Sequence, residues 1–401
     1  MKYIDAYTLL KNVINYTDSY ITIPEVVDIH NFTFTSKNCE ILPDDSLENT
    51  QSILDLRSET GIMQEMLGMH DSDVKDNVSF RYHIFSPVNT KKAKKIVFMF
   101  HGLNEKNWLK YLPWAKHIVA MTGKTVVLFP IAFHMNRAPQ EWSNSRLMYE
   151  VSKRRRELFP DIIHSTLSNA AISTRLHNNP QRLLWSGLQT YNDVIQFMNE
   201  YKSGQHPFID SDAEADIFAY SIGSFLAVIL MITNYADYFG QSKLALFCGG
   251  PVFNRLSPVS KFILDSHANV ALYSYIVEHL DSHLKADVKL KHYLCDCPEG
   301  ISFRGMLNYG VMSDFREERL RAVGERVLAI ALKQDTVVPP YEVINTLQGK
   351  YRDIPVRVDI QDLSYPYKHE DPFPALEKIS DAVDAGFRQV FDPIAQFLSE
   401  R

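Results

Sequence analysis

Cysteine is scarce in this chain, with only Cys39, Cys248, Cys295 and Cys297 among 401 residues. Four are too few for a disulfide scaffold at this size and fit a reducing compartment, so the cytoplasm is the expected location. Long hydrophobic runs are missing too. The longest, Phe225 to Ile232, falls far short of the roughly 20 residues that cross a bilayer. Met1 to Tyr7 lacks the uninterrupted apolar stretch of a secretion signal, so neither a leader nor stable membrane insertion is expected. Charge of one sign is not in excess: 42 basic residues face 48 acidic ones, a net charge of -6. That balance excludes a bulk attraction to nucleic acid or to an acidic membrane surface. Short basic clusters at 91–95 and 153–156 flank apolar segments and read as solvated loop ends. No glycine-rich phosphate loop is present, because Gly249-Gly250 lacks the pattern that should follow it. His292, Cys295 and Cys297 hold a single Cys-x-Cys without a partner pair, which is not zinc spacing, so no metal is expected. Neither internal repeats nor low-complexity tracts occur, and nothing in the sequence speaks to oligomeric state.

Apolar residues, by contrast, make up 45% of the chain, enough for a large core in one decorated domain or two moderate ones. Up to residue 78 the pattern is mixed, with a helix over Tyr7–Tyr16 and an edge-like strand over Asn31–Ser36. From Ser79 it sharpens. Ser79–Phe85 alternates as a half-buried strand, Ile96–Phe100 and Thr125–Phe129 are continuous apolar strands, and a helical pattern from Trp108 to Met121, closed by Gly123, lies between them. Continuous apolar strands joined by helices predict a mostly parallel, doubly wound α/β sheet covered on both faces. Further strands are expected at Lys243–Cys248, Arg326–Leu332 and Val356–Ile360, with helices at Tyr191–Tyr201, after Pro340 and over Ile379–Leu398. Two stretches interrupt this rhythm, about 130–187 and 251–321. They read as insertions forming a cap, the second with helices near Val259–Asp265 and Ala271–Leu280 and an apolar face lining an acyl pocket.

The segment from Asp216 to Leu230 organises the rest. Its first half reads as a buried strand and its second half has helical spacing, so the chain reverses sharply at Ser221. Ala219 and Gly223 flank the turn at two residues' distance, and small residues are what a tight elbow needs. At such a turn the hydroxyl projects from the carboxyl end of a strand. In an open parallel sheet, ligands gather at that edge, so partners for Ser221 should follow later strands. Asp335 lies three residues past one strand and His369 nine past the next. Asp359 and Asp362, near the last strand, are rival acids.

With the elbow Ala219-Tyr220-Ser221-Ile222-Gly223, the strand end Phe100-His101-Gly102-Leu103, the loop Asp335-Thr336-Val337-Val338-Pro339 and the His369 loop in this order, the chain resembles an α/β-hydrolase. The resemblance runs from about Ser79 to the end and points to a bacterial branch rather than to a family of known substrate. It leaves residues 1–78 as an N-terminal extension and 79–401 as the hydrolase domain. Ala219 stands where glycine is usual. The resemblance implies a serine hydrolase cleaving a carboxylic ester or related acyl bond, with Ser221 as nucleophile, His369 as base and Asp335 as its orienting acid. Backbone amides of Leu103 and Ile222 would hold the oxyanion, and no cofactor is implied. Tyr220, His134 and Arg137 are candidate contacts to a small acyl substrate, although a structural ion pair suits Arg137 better than a substrate anion does. His101 reads as structural. Two alternatives stay open: acyl transfer by the same three residues, and a binding protein that keeps the fold without the reaction.

Overall fold

A computed structural model describes residues 1–15, 17–43 and 70–400. Nine strands form one sheet in the order β1-β2-β3-β5-β4-β6-β7-β8-β9. They are β1 Tyr20–Ile23, β2 Val27–Thr35, β3 Ser79–Ser86, β4 Ala93–Phe100, β5 Thr125–Leu128, β6 Ile209–Tyr220, β7 Leu244–Phe247, β8 Val327–Leu332 and β9 Arg357–Gln361. Pairings from β5 through β9 are parallel, and those joining β1, β2, β3 and β5 are antiparallel. The mostly parallel α/β architecture is therefore present.

Strand β4 explains the continuous apolar runs. Ile96, Phe98 and Phe100 enter a core on one face of the sheet, while Val97 and Met99 enter a second core on the other. A strand buried on both faces has no polar side to write into the sequence. The first core is closed by the helices Arg182–Lys202, Ile222–Thr233 and Pro298–Leu307, and the second by Tyr3–Val13, Leu112–Thr122 and Ser380–Ser399.

The N-terminal segment joins this same sheet. β2 pairs with β3 from Asp28–Ser86 to Thr35–Ser79, so it is an inner strand, and β1 forms the edge. The helix expected over Tyr7–Tyr16 spans Tyr3–Val13, and Tyr16 lies outside the described residues. Residues 44–69 of the extension also lie outside them. The helix expected at Tyr191–Tyr201 begins at Arg182.

The two insertions meet. Arg155 grips Asp265 with two parallel bonds, Nε to Oδ2 at 2.8 Å and Nη2 to Oδ1 at 2.9 Å, and both side chains are buried. Bidentate geometry of this kind fixes orientation as well as distance. Thr166 Oγ1 adds a bond to Lys261 O at 2.6 Å, and Asn169 Nδ2 one to Ser260 O at 2.9 Å. The helix expected at Val259–Asp265 is not formed. Val259 and Leu264 form a bridge instead, and Asp265 caps the helix Ser266–Ser274 by accepting from the Ala268 amide. An Asp that bonds the following amides stops a helix from running through it.

Candidate active site

The strand order reverses around β4: β5 lies on one side and β6 on the other. At such a switch point two neighbouring strand ends open onto a crevice. His101-Gly102-Leu103 leaves β4 there and Ser221 leaves β6. Ser221 has φ 56° and ψ -124°, and the helix Ile222–Thr233 starts at the next residue. Gly223 makes the turn possible, since a Cβ on it would stand 2.7 Å from His101 O and 2.8 Å from Phe100 O.

Three expected residues come together. Ser221 Oγ lies 2.7 Å from His369 Nε2, and His369 Nδ1 lies 2.7 Å from Asp335 Oδ2. The side chains of His369 and Asp335 are almost wholly buried. A carboxylate can only accept, so Nδ1 carries the proton and Nε2 presents its lone pair to the serine hydroxyl. Asp335 cannot rotate, because its Oδ1 accepts from the amides of Val337 and Val338, both at 2.9 Å. The rival acids are engaged elsewhere: Asp359 with Arg357 at 2.7 Å, Asp362 with Lys333 at 3.3 Å.

Next to these atoms, the amides of Leu103 and Ile222 donate to no acceptor among the described residues. The Gly102 amide, in contrast, donates to the Tyr111 hydroxyl at 2.9 Å. His101 is fully buried and used on both sides: Ile131 N donates to its Nε2 at 2.9 Å, and its Nδ1 donates to Gly102 O at 2.8 Å. Burial holds its pKa well below the ordinary range, so it is a neutral strut for this loop.

Tyr220 is buried and lines neither the cavity nor the groove beside Leu103. Its ring stacks on His369 at 5.3 Å, and its hydroxyl donates to the His369 carbonyl. Burial pushes that hydroxyl well above its ordinary pKa, so it stays a donor.

Arg137 forms the structural ion pair favoured for it over an anion ligand. It is fully buried and bonds Asp193 at 2.7 Å, Asn77 Oδ1 at 3.0 Å and Pro130 O at 3.1 Å, with Phe80 stacked 4.0 Å away. A guanidinium this enclosed needs internal partners, and each of its three nitrogens has one here.

His134 does line a cavity of about 60 Å³, together with Leu103, Lys106, Phe133, Trp142 and Ile172. Its Nδ1 donates to Ala132 O at 2.9 Å, and burial lowers its pKa to about 4, so it is neutral. The insertion at 251–321, expected to line an acyl pocket, adds no residue to this cavity. It supplies Phe262 and Ile263 to an adjoining groove, which also touches Leu103, Lys106, Lys110 and Glu370. Asn104 Nδ2 bonds both Ser168 O, at 2.9 Å, and Phe262 O, at 2.6 Å, so both insertions hang on the loop after β4.

Sequence reading missed two further features. Cys248 directly follows β7, and its Sγ, an Asp335 oxygen and a His369 nitrogen all lie within 4.8 Å of one another. Burial, and then the Asp335 carboxylate, hold this thiol well above its ordinary pKa, so it is a neutral neighbour of the acid. Only its place at a strand end could have marked it. The second feature is a chain of contacts. Tyr111 Oη, which accepts from Gly102, donates to Glu105 Oε1 at 3.0 Å; Glu105 pairs with Lys110; and Lys110 Nζ donates to Glu370 O at 2.8 Å. No motif announces it, because its members are ordinary surface residue types. His292, Cys295 and Cys297 do not form a shared ligand set among the described residues, and Cys295 takes a bond from Arg304 at 3.3 Å.

Solved structures with a similar fold include a carboxyl esterase from the fungus Tuber melanosporum, at 11% identity over 80% of this chain and 81% of that one, with a TM-score of 0.45. A cold-adapted esterase from an Arctic intertidal metagenomic library matches at 10% identity over 96% and 100%, with a TM-score of 0.40. A thermostable esterase from Pseudomonas putida matches at 10% over 100% and 92%, with a TM-score of 0.44. Among curated proteins none matches this chain in sequence. The family model that does match, described as a family of unknown function (DUF6051), covers residues 1–399, and the chain belongs to that family.

Proposed function

We propose that this protein is a serine hydrolase that cleaves a carboxylic ester or related acyl bond through an acyl-enzyme. The observation that carries the reading is the line from Ser221 Oγ through His369 to Asp335, two contacts of 2.7 Å drawn from the ends of three parallel strands.

In the first step Ser221 Oγ attacks the carbonyl carbon while His369 Nε2 takes the hydroxyl proton. Asp335 holds the neutral imidazole in the tautomer with its proton on Nδ1 and stabilises the imidazolium that forms. The carbonyl oxygen becomes an oxyanion facing the free amides of Leu103 and Ile222, and each such donor is worth about 3 kcal/mol to the transition state. Collapse breaks the bond to the alkoxy oxygen, which leaves with the proton from Nε2. Water then repeats the sequence on the acyl-serine and releases the acid. Every proton and the acyl group move among substrate, Ser221, His369 and water, so the chemistry is complete without a cofactor.

The test is labelling with a fluorophosphonate followed by peptide mass spectrometry. Ser221 should be the strongly labelled serine, and Ser221→Ala should lose both label and turnover while melting at an unchanged temperature. Equal labelling of the variant would remove the assignment.

A further inference from the structure

Lys106 is a half-buried cation on the wall shared by the cavity and the groove beside Leu103. An ammonium has three protons to donate. One goes to Trp142 O at 2.9 Å, and among the described residues Lys106 has no other hydrogen bond and no ion pair. The other charged side chains on these walls are paired, except the Glu370 carboxylate, which has no ion pair among the described residues. Asp71 pairs with Arg175 and Arg182, and Glu105 pairs with Lys110. His134 is neutral. Burial brings the Lys106 pKa down to about 8, so at neutral pH most of the population holds a charge with no ion-pair partner among the described residues. Enclosing a charge is costly unless a counter-charge accompanies it.

We propose that Lys106 docks an anionic group of the carboxylate class carried by the ester substrate, an assignment that rests on the hydrolase reading above. Distance favours it. Lys106 is three residues past Leu103, so the two Cα atoms are at most about 11 Å apart, within reach of a small ester whose carbonyl oxygen lies at the Leu103 amide. The groove that Lys106 lines also touches Glu370, the neighbour of His369. The rest of the cavity wall is largely apolar, with Ala132, Phe133, Met135 and Ile172. It would tolerate a short methylene spacer, and the other cations on it, Arg175 and Arg182, are held by Asp71.

The carboxylate could sit on the acyl or the alcohol side, and two substrate pairs separate these. Monoethyl succinate is compared with ethyl butyrate, and acetoxyacetate with propyl acetate. The quantity read is the ratio of kcat/KM within each pair, in which a general loss of activity cancels. In the wild type at pH 7, at least one pair should favour the acid at least tenfold. Lys106→Gln, which keeps a donor for the Trp142 carbonyl but no charge, should bring that ratio to one or below. Lys106→Arg should retain most of it. A wild type that favours neither acid, or a Lys106→Gln variant that keeps the preference, would overturn the proposal while leaving the hydrolase reading intact. If no ester is cleaved and Ser221 is unlabelled, the hydrolase reading fails first, and binding then decides. Calorimetry of monoethyl succinate on Ser221→Ala, with and without Lys106→Gln, should give at least tenfold weaker binding in the double variant, and equal binding would overturn the site.

Discussion

Lys110 Nζ donates to the main-chain oxygen of Glu370 at 2.8 Å, although 260 residues separate them in the chain. The same ammonium pairs with Glu105 and lies 4.8 Å from the centre of the Tyr220 ring. Through Glu105 and Tyr111 it is tied to the Gly102 amide. One side chain thus joins the loop proposed to hold the oxyanion to the loop that carries His369. Ser221 is already fixed to the first loop by the close approach of Gly223 to His101 O.

Lys110 should therefore act as a positioning residue. Lys110→Met is expected to lower kcat by about 10- to 100-fold, the scale set by misplacing reacting groups by about an ångström, with KM changed only a few-fold. Lys110→Arg should restore much of the loss. Steady-state kinetics with a neutral ester checks this, and a variant whose KM rises while kcat holds would place Lys110 in binding instead.

Asp335→Asn should leave KM nearly unchanged and lower kcat by up to roughly four orders of magnitude, because the amide favours the wrong imidazole tautomer. His369→Ala should be at least as damaging, and the double variant should lose little more, since such residues act as a unit. Asp359→Asn and Asp362→Asn serve as comparisons. If either falls as far as Asp335→Asn, the acid has been misassigned.

Arg137 belongs to stability. Arg137→Met strands the fully buried carboxylate of Asp193, which among the described residues would keep Ser36 Oγ at 2.5 Å and Asn38 Nδ2 at 2.8 Å. Breaking a buried pair by removing one partner typically costs about 3–5 kcal/mol. Urea denaturation should register a loss of that size, and a variant as stable as the wild type would show that the pair contributes little.

Selectivity should depend on pH with a definite sign. Lys106 carries its charge below a pKa of about 8 and loses it above. The acid-over-neutral ratio should be highest near pH 7 and fall as pH rises through about 8, with no such fall in Lys106→Gln. Of the groups facing Lys106, His134 titrates at about 4, so it does not contribute to this window. A ratio flat from pH 7 to 9.5 would count against Lys106 as the anion's partner.

The parallel half of the sheet was legible because its strands feed two cores at once. Ile96 to Phe100 has no polar position, and such a run bounded by turns has few other readings. Ser221, Asp335 and His369 were legible because parallel strands all end at one edge, so residues remote in sequence become neighbours there by topology. The edge strand Tyr20–Ile23 was not. Only four residues long and largely exposed, it takes its identity from pairing with β2, which no local pattern encodes. The loop at Val259–Asp265 misled for a related reason: its apolar residues satisfy a helical spacing, yet Asp265 serves as a cap. Arg137 suited an ion pair, but only the position of Asp193 on a later helix reveals its partner. Glu105, Lys110 and Tyr111 fall on a single stretch of chain, but their common purpose lies in Glu370, far along the sequence.

The backbone at Ser221, with φ 56° and ψ -124°, sits where a side-chain-bearing residue rarely rests, at a cost on the order of 1–3 kcal/mol. Packing of Gly223 on the end of β4 and the bond from Ser221 N to Phe247 O, at 3.2 Å, hold it there. A tensed element is the first to slacken when its restraints weaken. Mild denaturant or heat should let the hydroxyl swing out of line with His369 while the nine strands are still paired, so the working range of the protein is narrower than its folded range.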